Sequence, residues 1–168
     1  MIYFKKPNFV FKLNKNVIQF IFSFKRPVYC FGLKNKINEN QYLGFYDFDN
    51  VEFSKVMYFI EYLYDLNDRI YGLSVLQSSE NHYHLILWKI MTYFEYLNTL
   101  FEALKYGMDK GYLQIFLNRE FSVLRISPKG PRKMPRLILY LRGNHDKEFI
   151  NLLYNANKQL LVYSTFNY

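Results

Sequence analysis

An apolar run that ends in two aspartates constrains the fold of this chain more than any other segment. The run Tyr42-Leu-Gly-Phe-Tyr-Asp-Phe-Asp49 predicts a strand over residues 42–47, because it is rich in aromatic and apolar residues. Alternate residues of a strand lie on one face, so Asp47 and Asp49 point to the same side of the sheet. Two such carboxylates repel each other. Unless they form an ordinary solvated strand end, they require a cation nearby, either a hard metal ion such as Mg²⁺ or a basic side chain.

Strand-like runs alternate with segments of helical periodicity along the rest of the chain. The predicted strands cover residues 2–13, 17–33, 42–47, 70–77, 84–88, 112–117, 121–126, 137–141 and 160–166. The predicted helices cover residues 50–66, with Asn50 as N-cap, 90–106, ended by Gly107, and 146–157. A polar turn joins the strands 70–77 and 84–88 into a hairpin. This order predicts an α+β fold with a core of mixed β-sheet and two to three helices.

The length of 168 residues predicts a single domain that folds without a disulfide framework. Its expected parts are a basic, β-rich segment (1–40), a core that carries the candidate motifs (42–141) and a C-terminal helix and strand (145–168). The single cysteine, Cys30, cannot form an intrachain disulfide, which suits a reducing compartment. No run approaches the ~18 apolar residues of a membrane span, and no secretory signal is evident. We therefore expect a cytoplasmic protein without a membrane partner.

Positive charge dominates the chain, which has a formal net charge of +8. Basic residues are concentrated in the first forty positions and again late in the sequence, on either side of an acidic centre. The late cluster contains Arg119, Arg125, Lys129, Arg132, Lys133, Arg136 and Arg142. This distribution predicts a polyanionic partner such as nucleic acid, with Lys129, Arg132, Lys133 and Arg136 as the candidate contacts. The alternative is an ordinary surface that lysines keep soluble.

Three further segments carry residues suited to phosphate or metal chemistry. Ser79 and His84 flank a polar turn that opens a strand, where a hydroxyl and an imidazole can donate to phosphate oxygens. Asp109 is either a third carboxylate for the site at the aspartate pair or an ordinary turn residue. Arg125 lies in an apolar strand, where a cation needs an anion such as a carboxylate or a phosphate, and Lys129 follows at the end of that strand.

Taken in order, these segments resemble the motifs of the archaeo-eukaryotic primase superfamily, which includes small primase-polymerases of plasmids and viruses. The matching segments are Asp47-Phe-Asp49, Ser79-Glu-Asn-His-Tyr-His84, Met108-Asp109 and Leu124-Arg-Ile-Ser-Pro-Lys129. The resemblance covers roughly residues 42–141 and departs from the family pattern at Glu80 and His82, which replace turn glycines. The predicted element order is also similar to the split β-α-β, RRM-like core of many polymerase palms.

The resemblance implies metal-dependent, template-directed nucleotidyl transfer, of the DNA primase or polymerase type, in the replication of a small replicon. It implies Asp47, Asp49 and Asp109 as catalytic residues and as ligands of Mg²⁺ or Mn²⁺. The residues that it places around the phosphates of the incoming nucleotide are Ser79, His84, Arg125 and Lys129. The implied partners are single-stranded or primed DNA, nucleoside triphosphates and other replication proteins.

Two other interpretations of the same residues stay open. His82-Tyr-His84 has the spacing of a histidine pair that binds one metal ion. Together with Tyr106 and Lys110, it is similar to the site of a rolling-circle replication endonuclease, in which a tyrosine attacks the scissile phosphate. The second alternative is a catalytically inactive, basic nucleic-acid-binding or assembly protein.

Overall fold

The computed structural model describes residues 9–11, 20–22, 28–66, 70–128, 133–143 and 161–166. The strands in these ranges are β1 (Phe9–Phe11), β2 (Phe20–Phe22), β3 (Val28–Lys34), β4 (Tyr42–Asp49), β5 (Gly72–Ser79), β6 (His82–Met91), β7 (Val123–Arg125), β8 (Arg136–Arg142) and β9 (Leu161–Phe166). The helices are α1 (Phe53–Leu66), α2 (Tyr93–Lys105) and α3 (Lys110–Arg119). The α+β class is therefore confirmed. None of these helices is long and apolar enough to cross a membrane.

The main sheet has four strands in the order β4-β6-β5-β8. A second sheet has the order β7-β3-β9, and β1 pairs with β2. Every strand pair in the described part of the chain is antiparallel, so the expectation of a mixed sheet is wrong for these residues. The reason is the place of β6. β6 follows β5 through a tight hairpin and lies between β4 and β5 in the sheet. The strands β4 and β5, which precede and follow α1 in the sequence, run in the same direction, and each is antiparallel to β6.

An aromatic core fixes the helices on one face of the main sheet. The ring of Phe59 in α1 lies 4.9 Å from Tyr46 and 5.8 Å from Phe48, both in β4. Tyr96 in α2 packs at 4.9 Å against Phe116 in α3. All five side chains are fully buried, and burial of such a side chain contributes about 1.5–3 kcal/mol. Because side chains alternate along β4, the two aspartates of this strand lie on the face opposite the helices.

The strand predicted over residues 112–117 is wrong, because these residues belong to helix α3. The prediction follows from a dense run of aromatic and aliphatic residues. The structure instead caps the segment with Asp109 and buries Tyr112, Leu113 and Phe116 at helical spacing. Contacts of Phe116 with Tyr93 and Tyr96 stabilise that helical face, so tertiary packing overrides the local preference for a strand.

The ends of the other elements differ from the predictions by a few residues. Asn50 does not cap α1, since the helix begins at Phe53 and Asn50 has a left-handed φ of 57°. The hairpin is tighter than expected, because Ser79 pairs with His82 and only two residues form the turn. The predicted end of α2 at Gly107 is confirmed, with φ of 96° at this residue. The helix predicted over 146–157 lies outside the described residues.

Candidate metal centre

Two aspartate–histidine pairs face each other across the strands β4 and β6. The register places Asp47 opposite His84 and Asp49 opposite His82. Directly opposite residues of an antiparallel pair lie on the same face, so all four side chains share the face turned away from the helices. The distance between His84 Nε2 and Asp47 Oδ1 is 3.6 Å, and that between His82 Nε2 and Asp49 Oδ1 is 3.8 Å.

Asp109 reaches the same face through a short pairing of backbone segments. Met108 forms a single antiparallel bridge with Phe48 at the edge of β4. The Asp109 N–H donates to the Asp47 carbonyl at 2.8 Å, which places Asp109 beside Asp47 and on its face of the sheet. The carboxylates of Asp47, Asp49 and Asp109 each offer an oxygen, and these oxygens lie within 4.8 Å of one another. The three carboxylates predicted from the sequence are thus brought together.

The N-terminus of α3 stabilises this cluster of negative charge. Asp109 is the N-cap of the helix, and its Oδ1 accepts from the Gly111 N–H at 2.9 Å. The positive end of a helix dipole stabilises a carboxylate at this position, typically by about 0.3–1 kcal/mol. Asp109 therefore has a structural role in capping α3 in addition to its place in the cluster.

His84 is buried beside the cluster and is neutral near pH 7. Burial in the sheet, together with the positive charge of Arg125, lowers the pKa of His84 to about 4, although a hydrogen bond with the backbone of Arg125 acts in the opposite direction. The Asp47–His84 contact is therefore not an ion pair at neutral pH. A neutral imidazole can still offer one donor and one acceptor to a ligand.

Arg125 is also buried, and its guanidinium donates to the backbone of two residues that follow it in the sequence. Its Nη1 donates to the carbonyls of Ser127 at 2.5 Å and Lys133 at 3.2 Å. These bonds connect the strand β7 to the start of β8. The sequence predicts that Arg125 meets an anion such as a carboxylate or a phosphate. In the structure Nη1 bonds to the backbone carbonyls of Ser127 and Lys133.

A buried network of hydroxyl groups supports β4 from the helical side, and no sequence motif indicated it. The Tyr96 hydroxyl donates to the Phe45 carbonyl at 2.5 Å, and the Tyr112 hydroxyl donates to Ser122 Oγ at 2.6 Å. The Ser122 N–H donates to Asn35 Oδ1 at 2.7 Å. Burial raises the pKa of Tyr112 far above its usual range, and the nearby Tyr96 and Asp47 raise it further. Its proton therefore stays in place, and the network acts as a rigid support for the carboxylates.

The other residues predicted to bind nucleotide or nucleic acid are exposed or lie outside the described residues. Ser79 is exposed at the end of β5, and Lys133 and Arg136 are exposed at the start of β8. Lys129 and Arg132 lie outside the described residues.

The residues of the endonuclease interpretation are not brought together. The ring of Tyr106 packs against Phe59 at 5.4 Å and Tyr62 at 6.1 Å, on the helical face of the sheet. His82 and His84 lie on the other face, so the sheet separates them from the tyrosine. Lys110 is the first residue of α3 and is exposed.

The donor set fits a hard divalent cation. Three carboxylate oxygens lie within 4.8 Å of one another, a wider spread than the distance of about 4.2 Å between opposite ligands of one Mg²⁺ ion, so binding a single ion would draw the side chains together. Asp49 is about half exposed, so the cluster is open to solvent and substrate. No model of a known protein family matches the chain, and no curated protein or solved structure is significantly similar to it. Metal binding at this cluster stays a prediction from its geometry.

Proposed function

We propose that this protein is a metal-dependent nucleotidyltransferase of the primase-polymerase type, which joins nucleotides on a DNA template. The observation that carries the proposal is the convergence of Asp47, Asp49 and Asp109, whose carboxylate oxygens lie within 4.8 Å of one another. Two of them come from a strand end and the third from the start of a helix, so each is held by hydrogen-bonded backbone. Rigid carboxylates of this kind are what two-metal phosphoryl chemistry requires.

The three carboxylates would hold Mg²⁺ or Mn²⁺, since both ions prefer oxygen ligands. When bound, such ions activate a primer hydroxyl and neutralise charge on a triphosphate. The neutral imidazole of His84 lies beside Asp47 and, in the tautomer that carries its proton on Nε2, can donate to a phosphate oxygen without adding charge. Ser79, at the exposed end of the hairpin, is suited to the same task at the edge of the site.

The position of two basic residues near the start of β8 supports a nucleic-acid substrate. Lys133 and Arg136 are exposed, and the carbonyl of Lys133 is bonded to the buried Arg125. Arg125 in turn lies close enough to His84 for its charge to lower the pKa of the imidazole. A DNA backbone bound by Lys133 and Arg136 would therefore run next to the carboxylates. Lys129, from the same segment of the sequence, is the candidate for the triphosphate.

The arrangement of β4, α1, β5 and β6 supports a palm-like core. The strands β4 and β5 precede and follow α1 in the sequence and run in the same direction. In the sheet, β6 lies between them. This split β-α-β unit supports an RRM-like palm, although β8 extends the sheet at β5 and not at β4, where the last strand of a βαββαβ fold would lie. We include the RRM-like palm in the proposal, with the acidic cluster at the end of its first strand.

The test is incorporation of labelled nucleotides on primed and unprimed single-stranded DNA in the presence of Mn²⁺. We expect product from the wild type and at least about a hundredfold less from Asp47→Asn/Asp49→Asn, since two of the three ligands are lost. The matched control is Glu61→Gln, which removes an exposed carboxylate on α1, away from the cluster. Circular dichroism would verify that all variants are folded.

Three results would contradict the proposal. Undiminished product in the double variant would show that the cluster is not catalytic. A covalent protein–DNA adduct that disappears in Tyr106→Phe would favour the endonuclease. Salt-sensitive DNA binding by the wild type, without product under any condition, would favour the inactive binding or assembly protein.

A further inference from the structure

The contact between His82 and Asp49 has the geometry of two ligands that await a shared cation. Their Nε2 and Oδ1 atoms lie 3.8 Å apart, beyond the range of about 2.7–3.2 Å for a hydrogen bond. Neighbouring ligand atoms on one transition-metal ion are about 3–3.5 Å apart, given bonds of about 2.1 Å. A small rotation of either side chain closes the difference.

A second contact orients His82 for metal binding. Its Nδ1 lies 2.6 Å from the carbonyl of Glu80. Because a carbonyl oxygen only accepts, Nδ1 carries a proton, which leaves Nε2 as the ring atom available to a metal ion. The Nε2 atom faces Asp49 Oδ1. Histidines that bind metals usually donate their other ring N–H to a carbonyl or carboxylate in this way.

His84 provides independent evidence that this face is shaped around a ligand. Its side chain is only 7% exposed, and Nε2 is directed at Asp47 Oδ1 from 3.6 Å. Its Nδ1 is buried and has no partner within ordinary hydrogen-bond limits in the described part of the chain, although the backbone of Arg125 lies near enough to the ring to act on its pKa. Buried polar atoms are normally paired.

We propose that His82 binds a divalent ion together with Asp49, at the exposed end of the acidic cluster, and that it makes this position selective for Mn²⁺, Co²⁺ or Zn²⁺ over Mg²⁺. Imidazole suits these transition metals, whereas Mg²⁺ requires oxygen ligands in near-octahedral geometry. The inference rests on one part of the proposed function, the binding of a metal ion by the carboxylates. It does not depend on the reaction that is proposed.

The experiment measures Mn²⁺ binding by electron paramagnetic resonance, with pulsed detection of hyperfine coupling to imidazole nitrogen. We expect wild type to show the coupling and His82→Gln to lose it, with at least about tenfold weaker Mn²⁺ binding. Mg²⁺ affinity, measured by competition, should change little, because Mg²⁺ gains little from the nitrogen ligand. Glu80→Gln is the matched control, since it alters an exposed side chain of the same turn and keeps the carbonyl that accepts from His82.

Each of the other outcomes is decisive. The assignment of His82 would be overturned if Mn²⁺ bound through Asp49 without nitrogen coupling. It would also be overturned if only His84→Gln lost the coupling. Neither result would affect the proposed nucleotidyl transfer. Equal loss of Mn²⁺ and Mg²⁺ affinity in His82→Gln would overturn the selectivity. If the nitrogen coupling depends on His82 but the protein forms no product from nucleotides, His82 is supported as a metal ligand and only the proposed function is overturned.

Discussion

At the scale of single residues, Asp109 combines a structural and a chemical role that substitutions can separate. Asp109→Asn keeps an N-cap acceptor, whereas Asp109→Ala removes it, so the alanine variant should lose about 1 kcal/mol of unfolding free energy and the asparagine variant much less. Both variants lack the carboxylate and should bind Mn²⁺ equally poorly. Urea unfolding and Mn²⁺ titration measure the two effects. A normal Mn²⁺ affinity in Asp109→Asn would show that Asp109 only caps α3.

The buried imidazole of His84 should make stability depend on pH. Its pKa is about 4 in the folded protein, whereas the ordinary value for histidine is 6.5, so the unfolded chain takes up the proton first as the pH falls. Stability is therefore fully present above about pH 6.5 and lost towards pH 4, by up to about 3 kcal/mol. Urea unfolding from pH 7 to 4 would measure this loss, which should be absent in His84→Gln. Equal pH dependence in both proteins would contradict the prediction.

At the scale of elements, the turn after α2 determines where the third carboxylate lies. Gly107 has φ of 96°, and an added Cβ would approach Val51 Cγ2 to 2.9 Å. Gly107→Ala should therefore lower the unfolding free energy by about 1–2 kcal/mol and displace the segment that carries Asp109. Calorimetry and Mn²⁺ titration would measure these losses. An unchanged midpoint of thermal unfolding would contradict this account.

Gly111→Ala should weaken metal binding without the loss of stability expected for Gly107→Ala. Gly111 lies in the first turn of α3, where alanine is a better helix former than glycine by about 1 kcal/mol. An added Cβ would lie 3.2 Å from Asp109 Oδ2, so it would press on the carboxylate. We expect Gly111→Ala to keep its stability but to bind Mn²⁺ less tightly.

Most elements could be predicted from local patterns, and the main exception follows from packing between helices. The strand β4, the hairpin and the helices α1 and α2 follow from periodicity, turn residues and the closing Gly107. The helix α3 was missed, because its run of aromatic residues suits either a strand or a buried helical face. The choice depends on Phe116, which packs against Tyr93 and Tyr96 of another helix. No local pattern contains that contact.

At the scale of the whole molecule, an acidic cluster lies within a chain of net charge +8. If exposed Lys133 and Arg136 contact phosphates, each alanine variant should weaken binding of single-stranded DNA and reduce the slope of log affinity against log salt by about 1. Fluorescence anisotropy at several salt concentrations would measure the slope. Lys105→Ala is the control, since the Lys105 ammonium is paired with Glu102 at 2.7 Å. An equal effect in all three variants would indicate a general effect of charge instead of a defined contact.

Local patterns along the chain were enough to specify the fold class and the identities of the candidate ligands. Strand alternation places Asp47 and Asp49 on one face, and the order of motifs singled out Asp109. Folding in three dimensions was needed to establish that these three carboxylates meet, that His82 and His84 lie opposite two of them, and that Tyr106 lies across the sheet. The difference arises because local preferences specify single elements, whereas the register of β4 against β6 and the bridge between Phe48 and Met108 depend on hydrogen bonds between distant segments.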